Sequence, residues 1–378
     1  MTSIPSELVD LILCDLDNSS LLSASLTCSD WLPIARSHLR LVFRRGSEFQ
    51  FRNIAATSSL APHLRTLHLA YARYTHELLL SQFVSLRSMV IDHCVLPSDI
   101  PCFPQLHKLE LHRVRFISEE NVLRSFQNLP LLRTLAWNEV QWSSASDNTV
   151  LQPVPLMTMS LRLDFLYLNV YMTGFWDTIS HTVYPRHLHL SAYKHQTNME
   201  LSSRYLHTIG RQLESLCIQP ENHAATPVMN DGALSLVGLT ALHTLELRSA
   251  LHYHTSNGSY VVGFEPFVEK LLLQLTSPLD TLILAVRPVT PDATSPQAQL
   301  EQVSHLFQVL KSHRILSSLR KLRFLVEGKG NLYKADANAN DLPRLRSFIE
   351  PILRAAVPAA FHGILAFEMG ELHTWSKC

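Results

Sequence analysis

The chain has 378 residues, 46% of them hydrophobic, with 32 basic and 32 acidic side chains. That apolar share supports a full core and excludes a disordered chain, while the length asks for two or three domains, or a repeat array with an appendage. A formal charge of zero lacks the footprint of a general nucleic-acid binder or a polybasic membrane-surface protein. With only 11 glycines, enzymes built on Gly-rich phosphate loops are disfavoured. The six cysteines form no CxxC pair, which fits reduced thiols and a cytoplasmic and/or nuclear location. Residues 1–10 lack the pattern of a signal peptide, and no apolar run reaches the ~18–20 residues of a membrane span. Ser376, Lys377 and Cys378 approach a peroxisomal address without its last residue.

In chain order, Pro5 opens a first helix, since its missing N–H is not needed there. Leu8, Ile12 and Leu16 then follow at i, i+4 and i+8 as one apolar stripe. Asp17 to Ser20 read as turn and cap. A second short helix carries Leu21, Leu22, Ser25 and Leu26, and Thr27 or Ser29 offers a cap for a third with Trp31, Ile34, Ala35 and His38 on one face. Three short helices bury little, so the unit needs a partner or a neighbouring domain.

These residues resemble the F-box family. The resemblance runs through Ile4-Pro5-Ser6-Glu7-Leu8, Ile12, Leu16, Leu21-Leu22, Ser25-Leu26, Cys28 and Trp31, about a tenth of the chain. Ile4 stands where the family usually has Leu, and Thr27 where Val is common. The resemblance implies a domain over residues 1–43 that docks on a Skp-type adaptor. Ile4, Pro5, Leu8, Ile12, Leu16, Leu21, Leu22, Leu26 and Trp31 would supply the contact. Residues 44–59 read as a partly helical linker.

From residue 60 onward an L-x-x-L-x-L pattern recurs in eleven copies, which start at residues 64, 86, 106, 132, 163, 185, 213, 242, 279, 319 and 362. The first steps match the 20–29-residue period of leucine-rich repeats, and later ones carry insertions. The end of each copy alternates like a half-buried strand, with helix-like segments between, such as Ser118–Leu129 and Leu201–Gln212. Residues 60–378 therefore resemble an irregular leucine-rich-repeat domain. The expected fold is α/β, a three-helix F-box followed by a solenoid of parallel strands. The Asn or Cys that usually follows the strand is mostly missing, with Cys94 as one remnant. Ser143–Ser160, Gln219–Asp231, Arg287–Gln299 and Gly328–Leu342 read as loops or insertions.

Catalytic motifs are not found. The 20 histidines include no H-E-x-x-H, and no P-loop or G-x-S-x-G elbow occurs. His187 and His189 share a strand face but lack a third ligand, and His252-Tyr253-His254 falls in an expected loop. No enzyme activity, metal or cofactor is expected. Between the strand leucines, alternate residues form one inner surface. Phe165, Tyr167, His187 and His189 fall there on two successive copies, as the expected contact for a target protein. The two histidines would make that contact sensitive to pH between about 6 and 7.

An F-box followed by leucine-rich repeats resembles the substrate receptors of cullin-RING (SCF-type) ubiquitin ligases, most of all the large F-box families of mushroom-forming fungi. The resemblance implies an adaptor, a cullin reached through it and a target protein as partners, with no nucleic acid and no membrane. The alternative is a ligase-independent F-box and leucine-rich-repeat scaffold.

Overall fold

The leucines of the repeated pattern set the fold. In the computed structural model the chain divides into two compact units, Met1–Tyr184 and Pro185–Cys378. Residues 4–44, 47–56, 60–71, 80–96, 99–142, 160–169, 176, 179–192, 196–220, 229, 232–256, 259–288, 304–308, 318–327 and 341–370 are described.

The first unit opens with α1 (Ser6–Leu13), α2 (Asn18–Thr27) and α3 (Leu32–His38). Asp17 caps α2, its side chain accepting from the Ser20 N–H at 2.8 Å. The second helix thus begins three residues earlier than the sequence suggests, because Asn18, Ser19 and Ser20 follow the cap rather than form a turn. Neither Thr27 nor Ser29 caps α3. Its N-cap is Trp31, without a side-chain bond, and Pro33 lies in its first turn.

Parallel strands follow: β1 (Arg40–Phe43), β2 (Thr66–Ala70), β3 (Ser88–Asp92), then β4 (Val95–Leu96), β5 (Lys108–His112) and β6 (Arg115–Phe116). After them come β7 (Thr134–Asn138), β8 (Gln141–Trp142) and β9 (Leu161–Asn169). The main sheet of this unit runs β1-β2-β3-β5-β7-β9. Its register aligns Leu67, Met89, Leu109, Leu135 and Leu166 in one row. A second row is Leu69, Ile91, Leu111, Trp137 and Leu168, and both rows are buried. Every alignment is the one the repeated pattern predicts.

Two backbone devices hold that register. At the strand starts one carbonyl accepts two amides of the next copy. The Arg65 carbonyl takes Arg87 and Ser88 N–H at 2.9 and 3.0 Å, and Arg87, His107 and Arg133 repeat the arrangement. At the strand ends Tyr71, His93, Arg113 and Glu139 adopt positive φ of 51–56°. Each donates its N–H to a carbonyl of the next copy at 2.8–2.9 Å. The chain turns there into a second, three-stranded parallel sheet, β4-β6-β8, whose Leu96, Phe116 and Trp142 are buried. This small sheet is not foreseen by the pattern. Cys94, just past the turn, is buried, and its thiol lies 3.2 Å from the Asp92 carbonyl and 3.7 Å from that of Leu69. Val114 and Val140 are the buried residues at the same place after the turns of the following copies.

A helix does not follow every strand. Between β4 and β5, described residues 99–107 form turns, because a 20-residue step leaves too few residues. The expected linker 44–59 holds α4 (Glu48–Ala56), and the next, longer step holds α5 (Glu119–Gln127) between β6 and β7. Ser118 caps α5 through the Asn121 N–H. Phe51 of α4 stacks on Phe83 at 5.8 Å and meets Phe43 edge-on at 5.1 Å, so the expected linker is part of the core.

The second unit has β10 (Val183–Ala192), which begins just before its boundary, then α6 (Gln196–Ile209), β11 (Ser215–Pro220) and β12 (Thr244–Ser256). It continues with β13 (Ser259–Phe264), α7 (Pro266–Leu273), β14 (Thr281–Pro288), β15 (Lys321–Glu327), α8 (Asp341–Ala356) and β16 (Leu365–Gly370). Parallel pairing runs β10-β11-β12-β14-β15-β16. Leu188, Leu216, Leu245, Leu282, Leu322 and Leu365 align, so the degenerate last copy joins the ladder. One element departs from the expectation. His252-Tyr253-His254 is not in a loop but on β12, which forms an antiparallel hairpin with β13. Where α6 ends, a Cβ on Gly210 would stand 2.5 Å from the Gly238 carbonyl oxygen, so only glycine permits that approach. The Ser143–Ser160 insertion lies outside the described residues apart from Ser160, as do most residues of the other three expected loops.

Leu109 lies in the middle of the first ladder and is fully buried. Leu109→Ala should cost about 2–5 kcal/mol in chemical denaturation. Leu131→Ala, at a half-exposed position, should stay within about 0.5 kcal/mol.

Candidate functional site

The first candidate surface is on the N-terminal helices. Val9 and Leu13 of α1 are buried, together with Leu21, Ala35 and Leu39. The stripe that the sequence makes conspicuous lies on the other side. Ile4, Leu8, Ile12, Leu16, Leu22 and Leu26 are exposed, from 38% at Leu16 to 87% at Leu26. Pro5 is exposed as well, and Trp31 is half-buried. Helix α1 is therefore apolar on both sides, with one side facing solvent, where an ordinary surface helix would be polar. Leu11, exposed to 66%, belongs to the same patch. Its place three residues after Leu8 was the signal for it in the sequence. Leu21 is different. It is 1% exposed and holds the helices together, so it offers no contact surface.

Three links tie this patch to the sheet. The Asn18 side chain brackets Arg40, donating to its carbonyl at 2.7 Å and accepting its N–H at 3.0 Å. The Asp10 carboxylate meets His38 Nε2 at 2.8 Å and lies 3.8 Å from Arg65 Nη1. Then β1 itself pairs with β2 from Arg40 to Phe43.

The second candidate is the sheet face opposite the leucines. Strand alternation puts residues two apart on the same face. The row at the strand starts is Thr66, Ser88, Lys108, Thr134 and Phe165 in the first unit, and His187, Ser215, Thr244, Thr281 and Lys321 in the second. Phe165 is half-buried there and His187 exposed. Tyr167 and His189 lie in the middle row and are only 6% and 4% exposed. They do not present the open contact surface expected of them. Parallel neighbours about 4.8 Å apart close over the middle row from both sides, and Glu110, Ala136 and Cys217 are buried in it too.

On the same face a chain of bonds runs along the strand ends and reaches the middle row at Glu110. Asn169 donates to Asn138 Oδ1 at 2.6 Å, Asn138 donates to His112 Nδ1 at 3.2 Å, and His112 Nε2 reaches Glu110 Oε2 at 3.1 Å. Lys108 Nζ closes the chain 2.9 Å from Glu110 Oε1. Both ring nitrogens of His112 are thus engaged. At the strand ends His93 lies between Asp92, at 2.6 Å, and Arg113, at 3.1 Å, and Tyr71 stacks on its ring at 4.4 Å. In the second unit His189 Nε2 meets Gln219 Oε1 at 3.1 Å. Cys217, beside it, has its thiol pushed well up by burial and by the Glu246 charge, which opposes a nucleophilic role. Among the described residues no three His, Cys, Asp or Glu side chains could hold a metal ion. No helix among them is long and apolar enough to cross a membrane.

Two groups in the first unit make stability depend on pH. Burial lowers the His68 pKa from its ordinary 6.5, against the pull of Asp92 and Glu110. Burial raises the Glu110 pKa, but the His112 and Lys108 bonds outweigh it and leave it below 4.5. Both shifts have the same sign of effect. As pH falls below each ordinary value the unfolded chain takes up the proton first and is favoured. These two groups leave stability unchanged above pH 6.5, lower it in a first step below that, and lower it again below 4.5. Melting curves against pH should lose the upper step in His68→Gln and show a smaller lower step in Glu110→Gln, since Asp17 and Glu214 also hold lowered values.

No family model and no curated protein matches the chain.

Proposed function

We propose that the protein is the substrate receptor of a cullin-RING ubiquitin ligase. In this reading the N-terminal helices hold a Skp-type adaptor, and the repeats hold a target protein. One observation carries it: Ile4, Leu8, Ile12, Leu16, Leu22 and Leu26, which help make the N-terminus resemble an F-box, are left in solvent along the first two helices and their flanks. A patch of that kind calls for a partner.

The repeats act as a frame. The same pattern orders parallel strands in both units, which supports a leucine-rich-repeat solenoid running through residues 60–378. Receptor function needs no covalent chemistry. It raises the effective concentration of a target near the transfer site. Phe165 and His187 stay in the proposed target surface, while Tyr167 and His189 leave it because they are buried. The cytoplasm and nucleus, where such ligases work, are the proposed location. The same apolar patch would also serve a scaffold that binds the adaptor alone. The two roles separate by co-purification, since a receptor brings down the cullin as well and its deletion makes a target accumulate.

Leu8 and Leu22 are about half exposed, so their replacement should leave the fold intact. Each Leu buried in a complex contributes about 1.5–3 kcal/mol. With only about half of each side chain still to be buried, Leu8→Ala with Leu22→Ala should weaken adaptor binding at least about tenfold. The melting temperature of the free protein should not change. Leu21→Ala should instead lower stability by about 2–5 kcal/mol. Wild-type adaptor affinity in the double variant would end the F-box reading.

A further inference from the structure

A concavity of about 380 Å³ lies in the first unit between α3 and the starts of the first strands. Ser37 reaches it from α3, His63 and Arg65 from the segment before β2, Ser85 and Arg87 from the segment before β3, and Gln105 from before β5. Among the described residues no carboxylate lines it. Its charge is therefore positive and set by two guanidinium groups on neighbouring strands, whose backbones run about 4.8 Å apart.

The partners of these side chains show which of them are available. Arg65 is drawn partly aside by Asp10, at 3.8 Å. Arg87 is exposed and forms no ion pair with any described residue. The Ser37 hydroxyl donates to the Ile34 carbonyl at 2.7 Å, so it can only accept at the pocket. Ser85 keeps its hydroxyl proton for a ligand, and Gln105 offers an amide. The His107 ring, next along the strand starts, is tied to the Gln105 carbonyl at 2.6 Å.

We propose that this concavity binds a compact oxyanion, with a phosphate group as the type. Arg87 and Arg65 supply charge-assisted bonds in the forked geometry that suits tetrahedral oxyanions, and Ser85 and Gln105 add neutral donors. The walls come from α3 on one side and from the strand starts on the other. All the donors come from the segments before the strands, while α3 contributes Pro33, Ile34 and a Ser37 hydroxyl already spent on the Ile34 carbonyl. This site does not depend on the ligase reading, because it uses none of the exposed leucines.

Titration calorimetry on the full chain at constant ionic strength tests the site, with inorganic phosphate and O-phosphoserine as separate probes. Both should bind. Equal affinities would assign recognition to the phosphate group alone, and tighter O-phosphoserine would assign it to a phosphate ester. Arg87→Ala should weaken either probe about tenfold or more, the loss of one charged hydrogen-bonding group. Ser85→Ala should weaken it less. Arg113→Ala, a cation at the other end of the strands, should bind like wild type. Circular dichroism melts would show whether each variant is folded. Absence of binding by both probes, or unchanged binding in folded Arg87→Ala, would overturn the proposal.

Discussion

The structure depends on the register between successive copies. A slip of one residue would turn each leucine row from core to solvent. The backbone resists that slip at both ends of the strand. Upstream, the carbonyls of Arg65, Arg87, His107 and Arg133 each accept two amides from the next copy. Downstream, the positive-φ residues Tyr71, His93, Arg113 and Glu139 each donate to it. None of these four is glycine, so each turn accepts a left-handed conformation that costs a side chain of its type about 1 kcal/mol. The cost is offset because that conformation points the N–H at the next copy and, at His93, Arg113 and Glu139, sends the chain into the second sheet. The same arrangement at the strand starts recurs in the second unit at Glu214, His243 and Asp280.

The strand register was legible in the sequence because burial and spacing agree. Leu or its bulky substitutes stand two apart in every copy, and nothing but a parallel ladder aligns them all. Even the copy around Leu365 and Phe367 obeyed the rule. The connections were less legible. The β4-β6-β8 strands have two residues each, too short to show a period. His252-Tyr253-His254, expected in a loop, instead lies on β12 and pairs with β13, because a polar stretch without hydrophobic alternation gives no strand signal in the sequence. The target surface failed in part for another reason. Alternation correctly assigns Tyr167 and His189 to the face away from the leucines, but being opposite the core is not the same as being open.

The N-terminal helices reverse the usual logic of an apolar stripe. Leu8, Ile12 and Leu16 would ordinarily be read as the buried side. The buried side is Val9 and Leu13, which the motif does not emphasise. The segment can leave so much apolar surface in water because its stability is supplied from elsewhere. Asn18 holds Arg40 by both backbone groups, Asp10 gathers His38 and Arg65, and β1 enters the sheet directly after α3. These links spare the helices from having to bury the stripe themselves.

That division of labour also places recognition along the ladder. In the first unit the face opposite the leucines is occupied by its own bonds, which run along the strand ends from Asn169 through Asn138 and His112 to Glu110 of the middle row. A partner that took those groups would have to replace each bond, since a buried polar group left unpaired costs about 1–3 kcal/mol. Exposed cations outside that chain of bonds carry less of this cost. Arg87 and Arg133 are exposed at the starts, and Arg113 is more than half exposed at the end. Substitutions there change charge without touching the leucine rows. A repeat frame of this kind can therefore change what it binds at the edges while its register stays fixed.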